Sequence, residues 1–138
     1  MKHLVVALML VASCAWGQII YQANSPIVEW DASTSREDGA PYPAGAVVSY
    51  EIGWSVSPVA NRESPDIVLG ETAGVSIAFE TPGFLLYALA GRTKVVSAGV
   101  TEYSPWLWSD VDGYPGAWLV TKVPLITPPK RPERIRVN

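Results

Sequence analysis

Apolar residues in this chain come in short runs, most of them alternating with polar ones, and Pro or Gly clusters break them about every ten positions. A helix needs an apolar stripe sustained at a period near 3.6, and no stretch of the body offers one. The pattern predicts short strands joined by turns, which bury their apolar faces in an antiparallel sandwich or barrel. The 12 prolines and 11 glycines are the punctuation such a fold requires.

Ile27-Val28-Glu29-Trp30-Asp31-Ala32 alternates, with Val28, Trp30 and Ala32 on one side and Ile27 and Glu29 on the other. Residues 36–45 hold two Pro and two Gly and read as a loop. Residues 46–56 form the longest predicted strand, with Val48, Tyr50, Ile52 and Trp54 on a shared face. Residues 57–65 are turn-rich. Two short strands follow, Ile67-Val68-Leu69 and Val75 to Phe79, split by Gly70 and Gly74. Phe84 to Leu89 reads as a fully buried strand, residues 91–99 as a long loop, and Thr101 to Ser109 as the last strand. The count comes to six or seven strands in a domain over residues 18–127.

The start of the chain has another character. Lys2 and His3 precede a nine-residue apolar run, Leu4 to Ala12, followed by small and turn-prone residues. That order predicts a secretory leader over residues 1–17, and the run is too short for a permanent span, which takes about 20 residues. Cleavage after Gly17 places Ala15 and Gly17 at the small-residue positions. The alternative is a lipoprotein leader, residues 1–13, because Val11-Ala12-Ser13-Cys14 is similar to a lipobox that would leave Cys14 lipidated; this would be the chain's one route to a membrane. Either reading predicts an exported protein, secreted, periplasmic or held in the cell envelope.

Chemistry is narrowed by what the body lacks. His3 is the only histidine and Cys14 the only cysteine, so no residue after Cys14 can serve as an imidazole base, a thiol nucleophile or a sulfur or imidazole zinc ligand. Leu69 to Gly74 carries two glycines without the lysine of a phosphate loop. Glu29/Asp31 and Asp110/Asp112 are close carboxylate pairs, read as surface charge in a body with twelve acids. Asp110-Val111-Asp112-Gly113 begins like a calcium loop, but its ligand ladder stops after two. The expectation is a non-enzyme without a cofactor. Residues 18–128 carry twelve acidic against five basic side chains, a net of −7, which argues against the basic face that nucleic acid demands. The Pro-rich tail, residues 128–138, carries Lys130, Arg131, Arg134 and Arg136 against Glu133.

Several segments resemble fibronectin type III domains. Ile27-Val28-Glu29-Trp30-Asp31 looks like that family's strand B, Val47-Val48-Ser49-Tyr50-Glu51-Ile52 like its strand C, and Tyr87-Ala88-Leu89-Ala90 like its strand F. Ser97-Ala98-Gly99-Val100-Thr101-Glu102-Tyr103-Ser104 resembles the glycine turn and serine-rich entry to strand G. The resemblance spans about residues 25–110 and implies an immunoglobulin-like antiparallel sandwich of about seven strands. It also implies a binding or structural module that works through loops and edge strands, by protein–protein contact in the envelope or an extracellular assembly. Strand A is short or missing, and residues 112–120 have no counterpart. The tail looks like the linker and first strand of a following domain, so self-association by passing that strand to a neighbour is a further expectation.

Aromatic content points to the contact residues. Trp106 and Trp108 flank Leu107, so a strand there puts both indoles on one side. With Trp118 and Tyr114, which read as loop residues, they are the predicted binding residues. Their ligand would be a protein, or alternatively a glycan stacked on exposed indoles. Trp30 and Tyr50 read as core.

Overall fold

The computed structural model describes residues 4–6, 12–15, 18–123, 130–134 and 136–137. In chain order the strands are β1 (Leu4–Val6), β2 (Ala12–Ala15), β3 (Gln18–Gln22), β4 (Ile27–Trp30), β5 (Val47–Val56), β6 (Ile67–Thr72), β7 (Ser76–Ala78), β8 (Tyr87–Ser97), β9 (Val100–Tyr103) and β10 (Leu107–Trp108). A single helical turn, α1 (Ser109–Asp112), leads to β11 (Gly113–Tyr114) and β12 (Trp118–Thr121). The fold is all-β, but the described residues form twelve strands rather than seven, because β1, β2, β3, β11 and β12 lie where no strand is read and Pro105 divides the last predicted one.

The strands build two sheets. The smaller runs β11-β1-β4-β7, and the larger runs β2-β3-β12-β8-β5-β6, with β9 and β10 also on β8. The larger sheet is organised by the β5–β8 pair, which stays in antiparallel register from Val47↔Val96 to Val56↔Tyr87. Alternation along β4 works as the pattern predicts: Val28 and Trp30 are buried, Ile27 and Glu29 exposed. They meet Tyr50, Ile52, Leu89, Tyr21, Trp118 and Val120 from the larger sheet, and this cluster is the main core. Trp30 and Tyr50 meet edge to face with centroids 5.5 Å apart, a favoured aromatic geometry. The core role expected of both is observed.

Three segments depart from the sequence reading. The strand read over residues 84–89 begins only at Tyr87 and continues to Ser97, through the segment that reads as a loop. Phe84 and Leu85 are 63% and 59% exposed, because they lie in the connection that carries the chain from the smaller sheet to the larger. The strand read over residues 101–109 is broken at Pro105, which cannot donate to a ladder. Residues 118–121, unplaced by the resemblance, are β12. It lies between β3, with which it is parallel from Trp118↔Ile19 to Thr121↔Gln22, and β8.

The β8–β9 hairpin is tight because Ala98 and Gly99 both take positive φ, 50° and 77°, between the paired Ser97 and Val100. This is the primed turn whose twist matches two antiparallel strands. Beyond Tyr103, β10 pairs with β8 at Leu107↔Gly91 and Trp108↔Ala90, and β11 crosses to the smaller sheet. Trp108 and Leu119 pack on Ala88 and Ala90 as a second, smaller core. Arg62 ties the 57–66 loop to it: its guanidinium grips Asp110 by two 2.8 Å hydrogen bonds, and its carbonyl accepts from the Trp108 indole at 3.0 Å.

Leu4–Val6 pairs with β4 and β11, and Ala12–Ala15 pairs with β3. Residues 1–3, 7–11 and the junction at Trp16-Gly17, all within the segment read as a leader, lie outside the described residues, as do 124–129 with Pro128 and Pro129. The described tail residues, 130–134 and 136–137, are in no strand; Ile135 and Asn138 are outside the description. Among the described residues no helix is long and apolar enough to cross a membrane.

Candidate functional site

The 31–46 connection between β4 and β5 cannot pack flat, since its prolines and glycines turn it repeatedly. It is braced instead by its own hydrogen bonds: Ser35 bridges Pro41, Arg36 N–H donates to the Ala40 carbonyl, and Ala40 N–H to Asp38 Oδ1 at 2.9 Å. Ser33 anchors it to the core, its N–H donating to the Tyr50 hydroxyl at 2.8 Å, while its own hydroxyl pairs with that of Tyr42 at 2.5 Å. Opposite stands the end of the β8–β9 hairpin. Ser104 closes that ladder by accepting from Thr93 N–H at 2.8 Å and donating to the Pro105 carbonyl at 2.9 Å.

Between loop and hairpin lies a cleft of about 350 Å³. Trp30 and Tyr50 line it from the core, Arg36 and Tyr42 from the loop, Arg92 and Trp106 from the far wall. Arg92 stacks on two rings, 4.0 Å from the Tyr103 centroid and 4.6 Å from that of Trp106, while its Nε donates to Glu51 at 2.7 Å. A guanidinium so held presents a rigid aromatic wall rather than a free charge. Arg36 crosses the rim to Glu102 with both nitrogens, at 2.5 and 3.2 Å. Trp30 Nε1 is buried with no hydrogen-bond partner among the described residues.

Arg36 lowers the pKa of Glu102, first by hydrogen bond and then by charge, and Glu102 raises that of Arg36. The folded-state value of Glu102 is the depressed one. The pair's contribution is therefore complete above the ordinary glutamate range and is lost as pH falls through the lowered value. A carbon-13 titration of the Glu102 side chain should give a midpoint below that of an unfolded peptide of the same sequence. An unshifted midpoint would mean that the rim pair is open in solution.

The four residues expected to bind separate. Trp106 lines the cleft and is half-buried. Trp108 shares its side of the chain, as period two requires, but is 3% exposed in the second core. Trp118 is fully buried in β12; the Pro115-Gly116 turn ends before it. Tyr114 is 54% exposed on β11, away from the cleft lining. Asp110 is engaged by Arg62, and among the described residues no group of three His, Cys, Asp or Glu side chains is placed to hold a metal. Arg36, Tyr42, Arg92 and Tyr103 were not singled out from sequence. One signal was available: the acidic body has only five basic residues, and two of them face each other here.

Comparison with known proteins finds no matching family, no matching curated protein and no matching solved structure.

Proposed function

We propose that this chain is an exported, non-catalytic immunoglobulin-like module of fibronectin type III character, which acts by protein–protein contact through the cleft between the 31–46 loop and the β8–β9 hairpin. Strand order supports the type. β4 and β7 share one sheet, as strands B and E do, while β5, β8 and β12 share the other, as C, F and G do. The excursion of residues 104–117 before β12 would be an insertion within strand G.

The observation that carries the binding role is the wall of Tyr103, Arg92 and Trp106. Tyrosine, arginine and tryptophan dominate binding energy at protein interfaces, above all where they are held rigid beside a concavity. Here the cations are already paired with Glu51 and Glu102, so a partner desolvates no lone charge. Non-catalysis rests on the sequence, whose only histidine and cysteine precede Gln18.

A photo-reactive phenylalanine analogue at position 42, introduced in the exporting host, tests the site. The expected result is one discrete cross-linked partner, lost in the Trp106→Ala variant, whose affinity should fall about thirtyfold for a hot-spot truncation. Far-ultraviolet circular dichroism of that variant should match wild type. Cross-linking that ignores the substitution would place the contact elsewhere.

The cleft also supports a glycan reading, through the Tyr103 and Trp106 rings that line it. Saturable tryptophan fluorescence change with neutral hexasaccharides, absent in Trp106→Ala, would favour it over the protein partner.

A further inference from the structure

In the smaller sheet β1 fills the place between β4 and β11. Its register is Leu4↔Trp30, Val5↔Glu29 and Val6↔Val28 on one flank, and Leu4↔Gly113, Val5↔Tyr114 on the other. Removal of the leader at either cleavage site takes residues 4–6 away. β4 then keeps its ladder to β7 and loses the other, at positions where Val28 and Trp30 belong to the main core. An open edge against a core is a template for another strand.

The place sets three requirements. The incoming strand must run antiparallel to β4, offer apolar residues at the positions paired with Trp30 and Val28, and meet the exposed carboxylate of Glu29. Ile135-Arg136-Val137 in the tail satisfies all three. With Ile135 opposite Trp30, Arg136 falls opposite Glu29 and Val137 opposite Val28. The same register puts Arg134 opposite Asp31, also exposed, so two cations meet two carboxylates on the outer side. Tyr114, exposed at the matching position of β11, flanks Arg136. The leader offers only Val5 at the position of Glu29.

We infer that in the exported protein residues 134–137 of a second copy of this chain occupy the place of β1. Pro128, Pro129 and Pro132 give the tail the proline-rich sequence that favours an extended arm, suited to reach a neighbour. Each copy is donor at one end and acceptor at the other, so the contact is heterologous and builds open chains. This rests on the reading of the first residues as a removable leader, and is independent of the cleft.

The test uses the full chain, exported from a host with its own leader, its mass measured and its light scattering followed over concentration. The expected product lacks the leader and forms oligomers that grow with concentration. Glu29→Arg or Arg136→Glu alone should raise the midpoint concentration roughly tenfold, since each turns an attractive cross-strand pair into a repulsive one. The two together should restore it, which general destabilisation would not do. Leader-free protein that stays monomeric overturns the proposal alone, as does a double variant no better than the singles. A mass beginning at Met1 overturns the leader reading and the proposal together.

Discussion

Trp118→Ala is expected to lower the free energy of unfolding by about 3–5 kcal/mol, the usual range for truncating a large buried aromatic. A domain of this size has only about 5–15 kcal/mol in hand, so the variant should be close to unfolding at 37 °C. The indole has no exposed surface, meets Tyr21 edge to face at 6.0 Å, and shares the main core with Val28, Ile52 and Leu89. Its backbone is equally engaged. The Trp118 carbonyl accepts from the Ser109 hydroxyl at 2.9 Å, and Ser109 Oγ in turn accepts from Leu89 N–H at 3.0 Å. One buried serine thereby fixes β12 against β8, and the side chain being deleted locks the strand to both sheets. Urea unfolding followed by circular dichroism measures the effect; a loss below about 1 kcal/mol would show that β12 is not held as described.

The second large effect is expected at Gly53, in the middle of β5. A Cβ there would lie 2.5 Å from Pro65 Cγ and 2.6 Å from the Ile67 carbonyl oxygen. Neither neighbour can yield cheaply. The proline ring is rigid and buried, and Ile67 is held in register opposite Trp54. At this same place β6 carries an extra residue: Ile52 faces Gly70 and Gly53 faces Val68, leaving Leu69 bulged. The bulge and the missing side chain together let residue 65 cross close over the sheet. Gly53→Ala should therefore cost about 1–3 kcal/mol or more by overpacking. Gly74→Ala, whose Cβ would meet nothing nearer than the Thr72 hydroxyl at 3.6 Å, is the control and should stay within about 0.5 kcal/mol. Equal effects at the two sites would mean that the crossing is looser than its geometry.

What could be read beforehand was whatever is decided locally. Alternation in β4 survives folding because that strand buries one face only, so period two is written directly into its residues; β5 keeps Tyr50 and Ile52 in the core as read, but Ser49, Gly53 and Ser55 on its other face are buried too. The run Phe84-Leu85-Leu86 misleads for the opposite reason: local hydropathy cannot tell a buried strand from an apolar connection, and the start of β8 is set by its pairing with Val56 and Val120. Trp118 was hidden by its neighbours. A Pro-Gly turn two residues earlier reads as surface, while its burial comes from β3, far away in the sequence. The cleft was half legible. Trp106 was marked by its aromatic surroundings, but nothing near Arg92 says that Tyr103 will stack on it, and nothing near Arg36 foretells Glu102.

The parallel contact of β3 with β12 also governs when the molecule can come into being. Asn24 and Val123, joined by a hydrogen bond at its end, are 99 positions apart. Until the last strand has been synthesised, Tyr21 and Leu89 have no Trp118 between them and the larger sheet stays divided. Contacts of such separation make folding slow and late, since the entropy of closing the chain is met before any of it is returned. The β4–β7 and β5–β8 ladders need only residues 27–96, but the larger sheet is joined to β3 only once residues 118–123 exist.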